Sequence, residues 1–151
     1  MSEARCQLVK SKMEVRARMA LAKDSIKSHR DLIAWQKAMD LVIFAYSVSN
    51  AFPREEIFGL TSQLRRSAVS VPANIAEGQG RRMKGEFANF LGNARGSLAE
   101  LDTHLEIALR LGYLKAQEHH AIDRSLHEVG RLINGLLRSM TRPGTATRKG
   151  R

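Results

Sequence analysis

The sequence predicts an all-α protein: an antiparallel up-down-up-down four-helix bundle with basic N- and C-terminal extensions. Three observations carry this reading. Apolar residues recur at three- and four-residue spacing through four separate stretches, no stretch alternates with the period of a strand, and the loops between stretches are short. With 151 residues, 43% of them hydrophobic, and only three prolines, the chain suits one helical domain with a substantial core. The pattern divides it into a bundle over 28–140, a basic extension over 1–27 that is disordered or partly helical, and a disordered basic tail over 141–151.

Ser28 to Asp31 offers a helix start. In the first helix Leu32, Trp35, Met39, Val42, Tyr46 and Ser49 share one stripe, and the helix stops before Pro53 because Phe52, as the residue preceding proline, is pushed out of the α region. Glu55 and Glu56 suit a first turn, where carboxylates meet exposed N–H groups, and Gly59 makes the entry irregular. The second helix is the one that stands out. Leu64, Ala68, Val71 and Ile75 form its stripe, and Val69, Pro72 and Ala76 widen it beyond the roughly 100° a surface helix needs. Such a helix is expected to have two neighbours, one inside the bundle and one outside.

Opposite that arc run Gln63, Arg66, Ser70, Asn74, Glu77 and Arg81. Pro72 is expected to kink the helix and to free the Ala68 carbonyl, with Ser70, Asn74 or a neighbouring subunit satisfying groups around it. Gly78 and Gly80 are expected to end it in a left-handed conformation. The third helix is the most regular: Phe87, Leu91, Ala94, Leu98, Leu101, Leu105 and Ala108 alternate four and three, a seam of the kind left-handed bundles use. Gly92, Gly96 and Ser97 lie on it, small residues that let a neighbouring backbone approach, and Gly112 terminates it. The fourth helix carries Ile122, Leu126, Val129, Ile133, Leu136 and Met140, and Pro143–Gly144 ends order.

The net charge is +10, and its placement matters more than its size. Residues 1–27 hold seven Lys/Arg against three acids, and residues 141–151 hold Arg142, Arg148, Lys149 and Arg151 against none. The intervening segment has 14 bases and 12 acids, so eight of the ten excess charges sit in the two ends. Basic arms bind phosphate through counterion release without reading sequence; equally, they serve as solubilising tails. Arg65, Arg66, Arg81, Arg82 and Lys84 form a further basic cluster, open to two readings: phosphate contact, or pairing with Glu77, Glu86 and Glu100 to fix helix or subunit packing. The eight aromatics fall mostly at core positions and offer no stacking platform for bases.

Other classes find little support. No stretch approaches the roughly 20 apolar residues of a membrane span. The N-terminus lacks a secretory apolar region, and a single Cys6 fits a reducing cytoplasm. The Glu-x-x-His motif of di-iron bundles is absent, the pair Glu100 and His104 is not a site by itself, and His120, Asp123 and His127 read as a solvated face instead of a metal cluster. Ser70 lacks a nucleophile elbow, and the glycines at 78 and 80 follow a helix instead of opening one from a strand, so no phosphate-cradling loop is present. The expectation is a non-enzymatic, cytoplasmic protein without cofactor or metal.

Several ordered motifs carry a family resemblance: Asp31-Leu-Ile-Ala-Trp35-Gln36, Phe52-Pro53, Leu60-Thr-Ser-Gln63-Leu-Arg-Arg66, Ser70-Val-Pro72-Ala-Asn74-Ile-Ala-Glu77-Gly78, the run from Phe90 through Ala94-Arg95-Gly96-Ser97 to Glu100-Leu101, and Leu111-Gly112-Tyr113-Leu114. Over about residues 30–140 the chain resembles the four-helix-bundle proteins encoded in intervening sequences of bacterial 23S rRNA genes. The resemblance implies a cytoplasmic, non-enzymatic bundle that assembles with itself, typically as a homopentameric ring. Gln63, Ser70, Pro72, Asn74, Glu77, Arg95, Gly96 and Glu100 are the candidates for packing or assembly. A related branch, the accessory variability determinants of diversity-generating retroelements, binds a reverse transcriptase and nucleic acid. The leading expectation is thus an oligomer that associates with RNA or DNA through basic arms or a basic surface; the alternative is a reverse-transcriptase accessory subunit.

Overall fold

The computed structural model describes residues 26–141, so Arg142, Arg148, Lys149 and Arg151, and all of the N-terminal extension before Ile26, lie outside the described residues. Four helices follow one another: α1 (Ile33–Ser49), α2 (Leu60–Gly80), α3 (Lys84–Arg110) and α4 (Ala116–Thr141). Short 3-10 turns, His29–Asp31 and Arg54–Glu56, precede α1 and α2. Among the described residues there is no strand. Helices adjacent in sequence pack together, α4 closes back on α1, and the backbones of the diagonal pairs stay apart across the core. This is the up-down-up-down bundle the periodicity predicts.

The ends of the helices follow from local chemistry. The Ser28 hydroxyl accepts the Arg30 N–H (3.2 Å) while the Asp31 carboxylate accepts the Ser28 N–H (3.0 Å), a capping box on the first turn. Helix α2 begins at Gly59, which has no side chain to cap it; Glu56 supplies the carboxylate instead, accepting the Leu60 N–H at 2.9 Å. The other oxygen of Glu56 accepts the Tyr113 hydroxyl at 3.3 Å, tying the start of α2 to the α3–α4 turn. At the end of α3, Gly112 takes φ +76, Tyr113 N–H donates to the Ala108 carbonyl (2.9 Å) and Gly112 N–H to that of Leu109 (3.1 Å). That paired Schellman arrangement needs a left-handed residue, and Gly112 is the one described glycine that provides it.

The seams of α3 and α4 are those expected. Leu91, Ala94, Leu98, Leu101, Leu105 and Ala108 are buried, as are Ile122, Leu126, Val129 and Ile133, with Phe87, Leu136 and Met140 packed against them. Helix α1 differs. Its buried residues are Ala34, Ala38, Leu41, Val42, Ala45, Val48 and Ser49, while Met39 and Tyr46 of the expected stripe are exposed. The expected stripe is therefore displaced by about one residue around the helix. The cause is that α1 is apolar on both sides: Ala34, Ala38 and Ala45 turn inward beside Leu41, Val42 and Val48 and let the helix approach closely, while Ile33, Met39, Ile43 and Tyr46 turn outward. Cations cover two of its aromatics, with the Arg30 guanidinium 5.5 Å from the half-buried Trp35 ring and that of Arg65 4.6 Å from the Tyr46 ring.

In helix α2, Leu64, Ala68, Val71, Pro72 and Ile75 are all buried within the chain, and Val69 alone of the wide arc stands exposed. Helix α1 exposes more apolar side chains, among them Ile33, Met39, Ile43 and Tyr46. A second correction concerns Gly78, which does not end α2 and has no positive φ. It is buried inside the helix, where an added Cβ would lie 2.7 Å from Phe90 Cβ and 2.8 Å from Phe87 Cδ2. Its smallness lets α2 and α3 come together just before the chain turns. The aromatics lie mostly at the core as expected, with Phe52 buried and Trp35, Phe44, Phe87 and Tyr113 packed partly against it; Phe58, 94% exposed, departs from that pattern.

Candidate nucleic-acid interface at the basic pole

An even number of antiparallel helices returns the chain to the pole it started from. Ile26 and Ile33, at the start of the described chain, line one groove with Leu136 and Ser139 near its end. The α2–α3 turn lies at the same pole. In and beside the last turns there are Lys27, Arg30, Arg81, Arg82, Lys84 and Arg138, against Asp31, Glu77 and Glu86. The segments covalently joined to this pole add six Lys/Arg against three acids in 1–25, and four against none in 142–151. Nine Lys/Arg and nine Asp/Glu make up the remainder, so the whole +10 excess belongs to this pole and the segments attached to it. The opposite pole has Arg54, Arg110 and Lys115 against Glu55, Glu56, Glu106 and Glu118.

The five described basic candidates divide by what holds them. Arg65 is fixed: it stacks on Tyr46 and donates to Ser49 Oγ (2.8 Å) and Asn50 Oδ1 (3.1 Å), joining α2 to the end of α1. Arg81 pairs with Glu77 at 3.1 Å and lies 5.3 Å from the Phe90 ring, so packing occupies it in part. Arg82 and Lys84 are exposed and have no ion-pair partner among the described residues. Lys84 opens α3, where the helix dipole disfavours a cation and favours an anion brought beside it. Arg66 stands exposed on the ridge of α2, well away from the pole.

The polar side of α2 faces α3. Asn74 Nδ2 donates to the Ser70 carbonyl (2.8 Å) and hydroxyl (3.0 Å), one turn back, and not to the carbonyl of Ala68. The hydroxyls of Ser70 and Ser97 share a hydrogen bond of 2.8 Å, and Ser97 also reaches the Asn93 carbonyl (3.1 Å). The chain Asn74, Ser70, Ser97 thus fastens the two helices, and α2 continues unbroken through Pro72. Asn74→Ala is expected to cost about 1 kcal/mol, the net worth of such a bond, read as a lower urea midpoint; an unchanged midpoint would remove this role. On the outer face of α3, Arg95 donates to Asn134 Oδ1 at 3.4 Å, and Gly92 and Gly96 have open space where a Cβ would sit, so no neighbouring backbone approaches them within the described chain.

Sequence reasoning missed one cluster. Gln63, Arg66, Ser67, Ser70, Glu100 and His104 line an open groove of ≈ 450 Å³ between α2 and α3. Ser67 Oγ lies 3.2 Å from His104 Nδ1, and Glu100 sits one turn before His104, so the set has the composition of a nucleophile, a base and an orienting acid. Its geometry says otherwise. Ser67 is 3% exposed and its hydroxyl is placed to donate to the Leu64 carbonyl at 2.9 Å, while the direction of its contact with His104 follows the imidazole tautomer. A hydroxyl buried and engaged on the backbone in this way is not open to a substrate. Burial lowers the pKa of His104, and Glu100 offsets part of that shift. The four-residue spacing of Glu100 and His104 is visible in the sequence; Ser67 carries no signal beyond its place beside the stripe.

Among the described residues no group of three or more His, Cys, Asp or Glu side chains is placed to hold a metal ion; His127 Nδ1 lies 3.2 Å from Asp123 Oδ1, and His120 is exposed. No described helix is long and apolar enough to cross a membrane.

Comparison with known proteins agrees with this architecture. No curated protein matches the chain. A solved structure from Bacteroides thetaiotaomicron, a protein of unknown function from the S23 ribosomal protein family, is 22% identical and superposes with a TM-score of 0.65, covering 70% of this chain and 98% of that one. At that identity the likeness establishes the fold. Residues 30–135 match the family described as 23S rRNA-intervening sequence protein. The match takes in all of α1, α2 and α3 and most of α4, and the chain belongs to the 23S rRNA-intervening sequence protein family.

Proposed function

We propose that the protein is a cytoplasmic, non-catalytic assembly of four-helix bundles that associates with nucleic acid through its basic pole. The observation that carries this reading is the concentration of the entire +10 excess at one pole and the segments joined to it. A field of this kind attracts a phosphate backbone by counterion release and needs no base-reading side chains. The held hydroxyl of Ser67 supports the non-catalytic part. The single Cys6 supports the compartment.

The test is a mobility shift of the full chain on single-stranded RNA and on duplex DNA across a salt series. Binding is expected to weaken as salt rises. Changing Arg81, Arg82 and Lys84 to Gln is expected to make the log–log slope shallower, by roughly 0.7–0.9 for each phosphate these side chains neutralise. An unchanged slope in that triple variant would take these three residues out of the interface. Failure to bind either nucleic acid, with retention by a reverse transcriptase instead, would turn the reading to an accessory subunit.

A further inference from the structure

Between the start of α1 and the end of α4, at the basic pole, runs an open apolar groove of ≈ 420 Å³ lined by Ile26, Leu32, Ile33, Leu132 and Leu136. Ile26 and Ile33 are 44% and 45% exposed, so the bundle leaves part of this apolar surface uncovered. Gly135 also lies on the wall, with open space where a Cβ would sit, and α4 therefore offers the groove no side chain at that position. One turn further from the pole, the ion pair of Lys37 and Glu128 (3.4 Å) joins α1 to α4 and closes the groove. The groove is thus short and apolar, and it opens toward the pole.

We propose that this groove is the docking site of the chain's own segment 15–25, which lies outside the described residues. The first argument is where the chain enters the bundle. Ile26, the first described residue, is itself a lining side chain, so the segment before it starts inside the groove and loses little entropy on closing. The Asp31 carboxylate accepts the N–H groups of Lys27 (2.9 Å) and Ser28 (3.0 Å), which fixes the chain at that point. The second argument is a matching face. Val15, Met19, Ala22 and Ile26 recur at spacings of four, three and four, the repeat of one side of a helix. Lengths agree as well: a helix from Val15 to Ile26 covers about 16 Å, and α4 runs about 12 Å beside the groove from Arg131 to Ser139. A helix this short is marginal in water by itself, and burial of its apolar face in the groove supplies what it lacks. Docking brings Arg16, Arg18 and Lys23 to the pole where Arg82 and Lys84 already stand exposed, and it does not depend on nucleic acid.

The experiment is hydrogen exchange followed by mass spectrometry on the full chain, on Met19→Asp and on Gly135→Trp. The first variant puts a charge on the proposed contact face, and the second fills the groove from α4 at an exposed position with room for a side chain. Thermal melting confirms that each variant keeps the bundle. In wild type the amides of 15–25 are expected to exchange at least about tenfold more slowly than in a free peptide of the same residues. Both variants are expected to return them to the peptide rate while α3 stays protected. Exchange at the peptide rate in wild type would overturn the proposal. Protection that survives Gly135→Trp would show that the segment is held somewhere other than the groove. Cross-linking decides whose segment is bound: with Cys6→Ser, Met19→Cys and Gly135→Cys in one chain, a short bismaleimide is expected to link within that chain. Links found only between chains would give the groove to a second copy's segment and overturn the assignment.

Discussion

Replacing Leu101 with alanine is expected to lower the stability of the bundle by about 2–5 kcal/mol, the range for a leucine whose removal leaves a cavity the neighbours do not fill. Leu101 is fully buried in the middle of the α3 seam. Helix α3 packs against α2 on one side and α4 on the other, so a void there touches most of the core. Total stabilities of roughly 5–15 kcal/mol make that a large share of what holds a domain folded. Urea unfolding followed by circular dichroism should show a lower midpoint with an unchanged slope. A loss below about 1 kcal/mol would mean that the helices relax into the space, and that the core is looser than its close burial indicates.

The second large effect is expected at Gly78, where two contributions oppose each other. Alanine is favoured over glycine inside a helix by about 1 kcal/mol. Against this, a methyl group at Gly78 would meet Phe90 Cβ at 2.7 Å, an atom that moves only if the backbone of α3 moves. Overpacking of this kind costs about 1–3 kcal/mol, so Gly78→Ala is expected to be destabilising overall. Gly96→Ala is the control, since open space surrounds that position and only the propensity gain remains. The two substitutions are expected to shift the melting temperature in opposite directions. A rise at Gly78 would show that the α2–α3 contact has slack.

How much of this is legible in the sequence depends on what each helix has to bury. In α3 and α4 one face is apolar and the other polar, so spacing alone identifies Leu101 and Ile133 as core. In α1 both faces are apolar. Periodicity cannot choose between two stripes of equal spacing, and size favours the stripe of Trp35, Met39 and Tyr46. The structure turns Ala34, Ala38 and Ala45 inward instead, since a helix that must sit close to two neighbours gains more from small side chains at the contact. Gly78 misleads for a related reason: a glycine near a helix end looks like a cap, and only the position of Phe90 on the next helix reveals it as a packing site. The basic pole is partly legible. The charge runs stand in the sequence, and an even helix count already places both ends of the bundle beside the α2–α3 turn.

That return of the chain to its starting pole has a practical side. A fluorophore or fusion partner joined directly at Ile26 or Thr141, the ends of the described bundle, stands at the pole where Arg82 and Lys84 are exposed. A bulky group at either position therefore crowds that surface. A label intended to watch it without covering it belongs at the far end of the bundle, at an exposed and lightly packed residue such as Gln117, near the start of α4.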